Sequence, residues 1–269
     1  MSLALPPVGF GTYKLNGLSG VDAVVSALHT GYRLLDSAMN YENEGAVGTA
    51  VRRSGVDRDE VVVTSKLPGR HHAYDLAVTS IEESVLRTGL DHLDLHLIHW
   101  PNPSRDLYVE AWQALVDAQQ RGLVFHIGVC NFLPEHLDRL ERETGVLPAV
   151  NQIELHPYFP QVDALAHHRE RGIVTQAWSP LGRKSDLLEN PEVVDVARQH
   201  GITPAEAVLA WHAAVGTVPL PKASSVERQR QNLAAVELEL DRAAVERLTA
   251  LGRPDGRLFD GDPATRVED

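Results

Sequence analysis

One stretch, GYRLLDSAMNYENE (31–44), decides the fold and carries the first chemically unusual feature of the chain. It predicts a short strand, a tight exit and a helix that begins near Asn43. Because alternate residues of a strand share a face, Leu34 and Asp36 lie on the same side. Asp36 therefore belongs to an apolar run that ends at the strand terminus, and Tyr41 follows just beyond it. Taken alone, this segment is typical of a helix cap and a core aromatic residue.

Strand-like and helix-like segments alternate along the chain, and each crossover helix returns the chain to the same end of a sheet. Eight such pairs in 269 residues predict an α/β fold, a (β/α)8 barrel of one domain over 1–269. Strands are expected at 8–15, 33–38, 60–67, 93–100, 124–131, 149–155, 173–180 and 217–223. Helices are expected at 20–30, 43–54, 74–88, 107–121, 134–144, 161–171, 203–214 and 226–235.

The alternative architecture is an open, doubly wound sheet. The early glycines read GFGTYK (9–14), without the third glycine of a dinucleotide fingerprint and without a helix that opens at once. The barrel is therefore the better prediction. We call residues 252–269 the tail segment; it is rich in Pro, Gly and Asp. It is expected to be irregular and either disordered or folded over one mouth of the barrel.

Composition excludes several classes of protein. The formal net charge is −12, from 25 basic and 37 acidic residues, which argues against a nucleic-acid partner. No apolar run approaches the length of a membrane span, and the first residues lack a secretion-signal pattern. The single cysteine, Cys130, is typical of a reducing compartment. We therefore expect a cytoplasmic protein with no membrane partner. As a separate expectation, the protein is a monomer.

Polar side chains follow three neighbouring strands of the predicted barrel, where the carboxyl ends of the strands meet at one mouth. Asp36 and Tyr41 follow the second strand, Lys66 ends the third, and His99 ends the fourth. Individually, these residues are more typical of a structural ion pair and a hydrogen-bonded core histidine. Four of them at one rim indicate a functional site.

The local sequence around these residues resembles that of the aldo-keto reductase family. Seven sequence motifs occur in the family's order and at compatible spacings. They are GYRLLDSAMNYENE, VVVTSKLP, DLHLIHWP, IGVCNF, NQIELHP, AWSPLG and PLPKASSVERQRQN. The resemblance implies that Asp36, Tyr41, Lys66 and His99 are catalytic. It also implies NADPH-dependent reduction of a small-molecule aldehyde or ketone. The brief segment after the fourth strand is similar to the compact bacterial branch that includes diketogluconate reductases.

Elementary chemistry gives each of the four residues a role. Carbonyl reduction needs a hydride and a proton for the developing alkoxide. A tyrosine pKa of about 10 would have to fall by about 3 units to reach neutrality, which requires about 4 kcal/mol. A lysine ammonium about 4 Å away supplies roughly that at an effective dielectric constant of about 20. Tyr41 is then the proton donor, Lys66 lowers its pKa, Asp36 keeps Lys66 charged, and His99 orients the carbonyl as a neutral donor.

The resemblance also implies a cofactor site along the later strands. Cys130, Asn131 and Gln152 would hold the nicotinamide carboxamide, and Trp178 would stack on the ring. At the last strand end, helix N–H groups and two cations suit a phosphate, which favours NADPH over NADH. The full cofactor set is Gly11, Thr12, Tyr13, Asp36, Cys130, Asn131, Gln152, Trp178, Ser179, Pro180, Leu181, Gly182, Lys222, Ala223, Ser224, Ser225, Arg228, Gln231 and Asn232.

Substrate contacts are expected from side chains near the strand ends, namely Tyr13, Met39, His99 and Trp100. No metal is expected, because His96 and His99 are three residues apart on one strand and face opposite ways. The sequence departs from the family pattern at three cofactor positions. Cys130 and Ala223 stand where serine is usual, and Gln231 where glutamate is usual.

Two other functions remain open at this point. In the first, Lys66 is the nucleophile of a Schiff-base lyase, which requires a neutral amine. The neighbouring Asp36 argues against that state. In the second, the barrel binds a nicotinamide cofactor but serves as a redox-sensing subunit with little or no catalysis.

Overall fold

The computed structural model describes residues 4–259 and 261–269, and it contains an eight-stranded parallel sheet whose strands neighbour each other in chain order. The sheet is curled into a (β/α)8 barrel, as the alternation predicted. Its strands are β1 (Phe10–Gly11), β2 (Leu34–Asp36), β3 (Val62–Leu67), β4 (Leu93–Ile98), β5 (Val124–Cys130), β6 (Val150–Glu154), β7 (Val174–Trp178) and β8 (Val218–Pro219).

Two backbone hydrogen bonds join the last strand to the first. The Gly9 N–H donates to the Pro219 carbonyl at 3.0 Å, and the Gly11 N–H donates to the Pro221 carbonyl at 3.1 Å. A side chain at Gly11 would begin 2.8 Å from the Leu220 carbonyl oxygen, so this close approach requires glycine. The structure gives β1 and β8 two residues each, so the expected first and last strands, 8–15 and 217–223, are too long. Pro219 and Pro221 have no N–H to extend the ladder.

The helices lie outside the strands and begin and end close to their predicted bounds. In addition to the eight expected helices, the described residues form α7 and α10. The crossover from β7 to β8 holds two helices instead of one, and α10 follows the last barrel unit. The bounds are α1 (Gly17–Thr30), α2 (Glu44–Ser54), α3 (Tyr74–Thr88), α4 (Tyr108–Gln120), α5 (Pro134–Thr144), α6 (Val162–Glu170), α7 (Pro191–His200), α8 (Pro204–Ala214), α9 (Val226–Ala235) and α10 (Arg242–Thr249).

The apolar core is divided between the helix–strand layer and the barrel interior. Trp112 of α4 and Trp211 of α8 are fully buried in the outer layer. Inside the barrel, Leu95, Leu97 and Val150 pack around Cys130 and form a floor below the strand ends. Burial of this kind contributes about 25 cal/mol per Å² of apolar surface. A rigid apolar support therefore lies beneath the polar groups of the mouth.

The tail segment is irregular and lies against the barrel. The Arg253 N–H donates to the Tyr158 carbonyl at 3.2 Å, and the Leu258 N–H donates to the buried Glu154 carboxylate at 2.6 Å. Near the other end of the segment, Asn102 exchanges two hydrogen bonds with the backbone of Glu268. These contacts join the described part of the tail segment to the end of β6 and to the loops that follow β4 and β6. Residue 260 lies outside the described residues.

Two classes of feature are not found among the residues described. No helix within 4–259 or 261–269 is both long and apolar enough to cross a membrane. In the same part of the chain, no group of three or more His, Cys, Asp or Glu side chains is arranged to hold a metal ion.

Candidate active site

The centre of the mouth is a buried ion pair between neighbouring strands. Asp36 of β2 is in register with Thr64 of β3, and Lys66 lies two residues further along, on the same face as Thr64. Lys66 Nζ donates to Asp36 Oδ1 at 2.6 Å and to the Ser37 carbonyl at 2.8 Å. The Lys66 side chain is 0% exposed and that of Asp36 is 7% exposed. Solvent therefore screens this pair little.

The ion pair keeps Lys66 charged. Burial opposes the charged amine and is the largest single influence, but the carboxylate of Asp36, acting together with Tyr41 and Cys130, outweighs it, so the pKa of Lys66 is raised above its usual value. A lysine in this state is a proton-holding cation and a poor nucleophile. Its Nζ lies 5.0 Å from the centroid of the Tyr41 ring. Lys66 therefore places a permanent positive charge beside the phenol.

Tyr41 differs from the expectation in one respect. Its pKa is not brought down toward neutrality, because burial raises the pKa of Tyr41 to about 12 and the charge of Lys66 recovers only part of that shift. The expected fall in the Tyr41 pKa included the attraction of the ammonium but not the desolvation of the phenolate, which opposes it. Tyr41 therefore keeps its proton throughout the physiological range, which suits a proton donor more than a base.

His99 completes the group and has an unexpected neighbour. Its ring lies edge-on to Tyr41, with 6.0 Å between the ring centroids. On its other side, His99 Nδ1 is 2.7 Å from Oε1 of Glu268, a residue of the tail segment. The Glu268 carboxylate also accepts from the Gly69 N–H at 3.0 Å and from Asn40 Nδ2 at 2.9 Å.

These side chains surround one cavity of about 520 Å³. Of the predicted site residues, Met39 is not among its lining residues; its sulfur accepts a hydrogen bond from Ser80. Lys66 supports the cavity from behind. The lining consists of Gly11, Tyr13, Lys14, Asp36, Tyr41, His99, Trp100, Cys130, Asn131, Gln152, Trp178, Ser179, Pro180, Leu181, Arg183, Leu220, Pro221, Lys222, Phe259 and Arg266.

The three residues expected to hold a carboxamide lie together at the ends of β5 and β6. Asn131 uses both ends of its amide, donating to the His99 carbonyl at 3.1 Å and accepting from Trp178 Nε1 at 2.8 Å. Gln152 Nε2 donates to Asp36 at 2.8 Å and to Gln176 at 2.9 Å. Burial raises the pKa of the Cys130 thiol, so this residue is a neutral, weak donor.

Aromatic and cationic side chains cover the open side of the cavity. Phe259 of the tail segment packs on Trp178, with 5.7 Å between ring centroids. The Arg183 guanidinium lies 5.4 Å from the Tyr13 ring and 5.0 Å from the Phe259 ring. A second guanidinium, that of Arg266, lies 4.6 Å from the Trp100 ring. The tail segment therefore supplies part of the cavity wall.

The expected phosphate site extends from the cavity, which Lys222 lines, to the start of α9. Ser225 caps this helix by accepting from the Arg228 N–H at 3.4 Å. Lys222 and Arg228 are exposed, and Lys222 Nζ donates to the Tyr13 carbonyl at 3.0 Å. Ser224 and Gln231 are exposed as well, whereas Ala223 and Asn232 are buried. Thr12 and Gly182 are buried and do not line the cavity.

Several residues of the site were not singled out by the sequence argument. The tail segment was expected to be either disordered or folded over one mouth of the barrel, and no sequence signal assigned individual roles to Phe259, Arg266 and Glu268. Their contacts join residues that are far apart in the chain, as between Glu268 and His99. Such contacts leave no local periodicity. The other residues in this group are Lys14, Arg183, Leu220 and Pro221.

Comparison with known proteins agrees with this fold. The model of the Aldo/keto reductase family matches residues 7–253. The chain is 51% identical to 2,5-diketo-D-gluconic acid reductase B of Corynebacterium sp. (strain SHS752001), over 97% of this chain and 93% of the relative. It is 39% identical to morphine 6-dehydrogenase of Pseudomonas putida, over 92% and 88% respectively.

Comparison with solved structures gives the same fold. The crystal structure of a Gox0644 mutant in complex with NADPH has a TM-score of 0.91 and 36% sequence identity, covering 97% of this chain and 94% of that one. A barrel with a polar group of this kind at its carboxyl mouth is typical of a carbonyl-reducing oxidoreductase. The chain belongs to the aldo-keto reductase family.

Proposed function

We propose that the protein reduces aldehydes and ketones with NADPH, and that Tyr41 is the proton donor. The observation that carries the proposal is the pairing of Lys66 with Asp36 at 2.6 Å, directly behind the Tyr41 ring and at the wall of the cavity. A structural ion pair does not require a phenol and an imidazole at the same cavity. We further propose that the chain acts as a single domain and as a monomer.

Each residue then has one task. Bound NADPH supplies the hydride that reaches the carbonyl carbon. The Tyr41 hydroxyl gives its proton to the carbonyl oxygen, and the Lys66 ammonium stabilises the phenolate that remains. Asp36 holds that ammonium in place. Because the pKa of Tyr41 is about 12, the phenol is protonated before each turnover in the reductive direction.

The residues present fit a nicotinamide cofactor. Gln152 Nε2 donates to Asp36 and to Gln176. Its Oε1 has no hydrogen-bond partner within the described residues, so this oxygen can accept a hydrogen bond from a carboxamide. The exposed cations Lys222 and Arg228 lie at the capped start of α9 and suit a phosphate group. The relative in complex with NADPH supports the same assignment.

The cavity also favours a particular kind of carbonyl compound. Arg266 lies over Trp100, close to the catalytic group, and its buried Nε has no hydrogen-bond partner within the described residues. A guanidinium in this position suits a carboxylate. The name of the relative with 51% identity, a diketogluconic acid reductase, supports the same choice. We infer that ketones bearing a carboxylate are the preferred substrates.

The test follows NADPH absorbance while the purified protein meets aldehydes, neutral ketones and keto acids, with NADH in parallel. Tyr41→Phe is expected to lower kcat by about 10²- to 10⁴-fold while NADPH still binds. Tyr74→Phe is the matched control, because this exposed phenol donates to Asp117 on the surface and does not line the cavity, so the variant is expected to leave kcat unchanged.

Three other results would contradict the proposal. Full activity in Tyr41→Phe would show that Tyr41 is not the proton donor. Tight NADPH binding without turnover of any carbonyl would favour the redox-sensing alternative. Borohydride trapping of a substrate on Lys66 would favour the lyase, which the raised pKa of that lysine disfavours.

A further inference from the structure

The tail segment meets the barrel at two strand ends that lie next to each other in the sheet. Glu154 ends β6 and is in register with Trp178, which ends β7. The Leu258 N–H donates to Glu154 Oε1 at 2.6 Å. The ring of the next residue, Phe259, packs on Trp178, with 5.7 Å between the ring centroids. Two consecutive residues of the tail segment therefore cover two adjacent strand ends, and the position of one constrains the other.

Glu154 itself is not part of the cavity lining, whereas Trp178 and Phe259 are. Its side chain is 2% exposed, and its Oε1 also lies 3.1 Å from His156 Nε2. Its Oε2 is buried without a hydrogen-bond partner within the described residues. Because a buried polar atom without a partner lowers the free energy of unfolding, packing alone would favour an apolar side chain here. An acceptor for a backbone N–H of the tail segment accounts for the carboxyl group.

The tail segment is anchored on both sides of this bond. On one side, the Arg253 N–H donates to the Tyr158 carbonyl at 3.2 Å. On the other side, Asn102 exchanges two hydrogen bonds with the backbone of Glu268. Between these two anchors, the bond from Leu258 is the single hydrogen bond to the barrel that the described residues of the tail segment make. The position of the cavity wall between the anchors therefore depends on this bond.

We propose that Glu154 is a positioning residue for the substrate site. By holding the Leu258 N–H, it keeps the Phe259 ring on Trp178 and closes the open side of the cavity over a bound carbonyl compound. The buried ion pair and the proton donor lie on other strands, so loss of the bond is expected to weaken substrate binding and to spare the proton transfer. The inference rests on the proposed carbonyl reduction, since it takes the cavity as the substrate site.

The first experiment is limited digestion with trypsin, which cleaves after arginine and lysine. The peptide bond between Arg257 and Leu258 contains the N–H that Glu154 accepts, so its rate of cleavage reports whether the hydrogen bond is made. Glu154→Leu removes the acceptor and is expected to raise this rate by about tenfold or more. Glu154→Gln keeps an oxygen acceptor and is expected to behave as wild type. Mass spectrometry identifies the fragment that begins at Leu258.

Asp94→Leu is the matched control. Asp94 also accepts a backbone N–H, that of Val63 at 2.8 Å, but it lies near the start of β4 and does not line the cavity. This variant is expected to lower the free energy of unfolding, measured in urea, and to leave both the cleavage after Arg257 and the KM values unchanged. It separates a local effect on the tail segment from a general loss of stability.

The second experiment measures the kinetics of Glu154→Leu with a keto acid and with a neutral ketone. KM is expected to rise several-fold for both substrates, with kcat close to that of wild type. A merely structural role would reduce the folded fraction and lower kcat alone.

Unchanged cleavage in Glu154→Leu, or faster cleavage with unchanged KM values, would overturn the inference. If no carbonyl compound is reduced by wild type, the proposed function fails. Faster cleavage in Glu154→Leu but not in Asp94→Leu would still support the role of Glu154 in holding the tail segment.

Discussion

The two sides of the cavity are built in different ways. On the strand side, the site is built on a buried ion pair from consecutive barrel units, and the residues involved are Asp36, Lys66 and Tyr41. On the tail side, Phe259, Arg266 and Glu268 come from an irregular segment that is fixed by a few hydrogen bonds and by ring contacts. The strand side suits the proton transfer, which is the same for every substrate. The tail side suits the selection of one substrate over another.

The largest effect is expected on the strand side, from Lys66→Met. Removal of the ammonium leaves the Asp36 carboxylate buried and unpaired, which costs about 3–5 kcal/mol of unfolding free energy. The double variant Lys66→Met/Asp36→Asn is expected to regain most of that stability but none of the activity. Urea unfolding and NADPH oxidation measure the two quantities. Equal stability of the single and double variants would show that the pair is not coupled.

A smaller and more selective effect is expected on the tail side, from Arg266→Gln. Loss of a charge-assisted bond to a substrate carboxylate, about 1.5–3 kcal/mol, raises KM for a keto acid by about tenfold or more. KM for a neutral ketone is expected to stay the same. Arg257→Gln is the matched control, because this tail arginine lies over Phe159 and does not line the cavity. An equal rise for both substrates would assign Arg266 to packing alone.

The smallest effect concerns the acid stability of the tail contacts. Because the folded-state pKa of Glu268 is lowered, its contribution is complete above the unfolded value of about 4.5 and is lost as pH falls through the lower folded value. Wild type should therefore be more stable than Glu268→Gln at pH 7, and the difference should vanish in acid. Urea unfolding at a series of pH values measures it. A difference that does not depend on pH would exclude a role for the charge.

The same contrast separates what the sequence could predict from what it could not. Alternating strands and helices, and polar residues at three strand ends, are local patterns, so the barrel and the proximity of Asp36, Tyr41, Lys66 and His99 followed from them. The Lys66–Asp36 contact is a matter of register, which the parallel ladder imposes.

Other features depend on tertiary packing that no local pattern encodes. The pKa of Tyr41 depends on how completely the phenol is desolvated, and the carboxylate beside the His99 ring comes from the tail segment, far along the chain. Helices α7 and α10 were missed because one helix per strand was expected. The roles of Lys222 and Arg228 stay a prediction, because they rest on the family resemblance and on exposure alone.

The alkylation rate of Cys130 can report on access to the interior of the barrel. Cys130 is the only cysteine of the chain, it is 1% exposed on the inner wall beside the ion pair, and burial keeps its thiol protonated and unreactive. An alkylating reagent has to enter the cavity that Cys130 lines and reach a thiol that is 1% exposed, so its rate of modification reports access to this wall in the unaltered protein. A ligand seated in the cavity should slow that rate, which gives a label-based binding assay that needs neither a substrate nor an engineered residue.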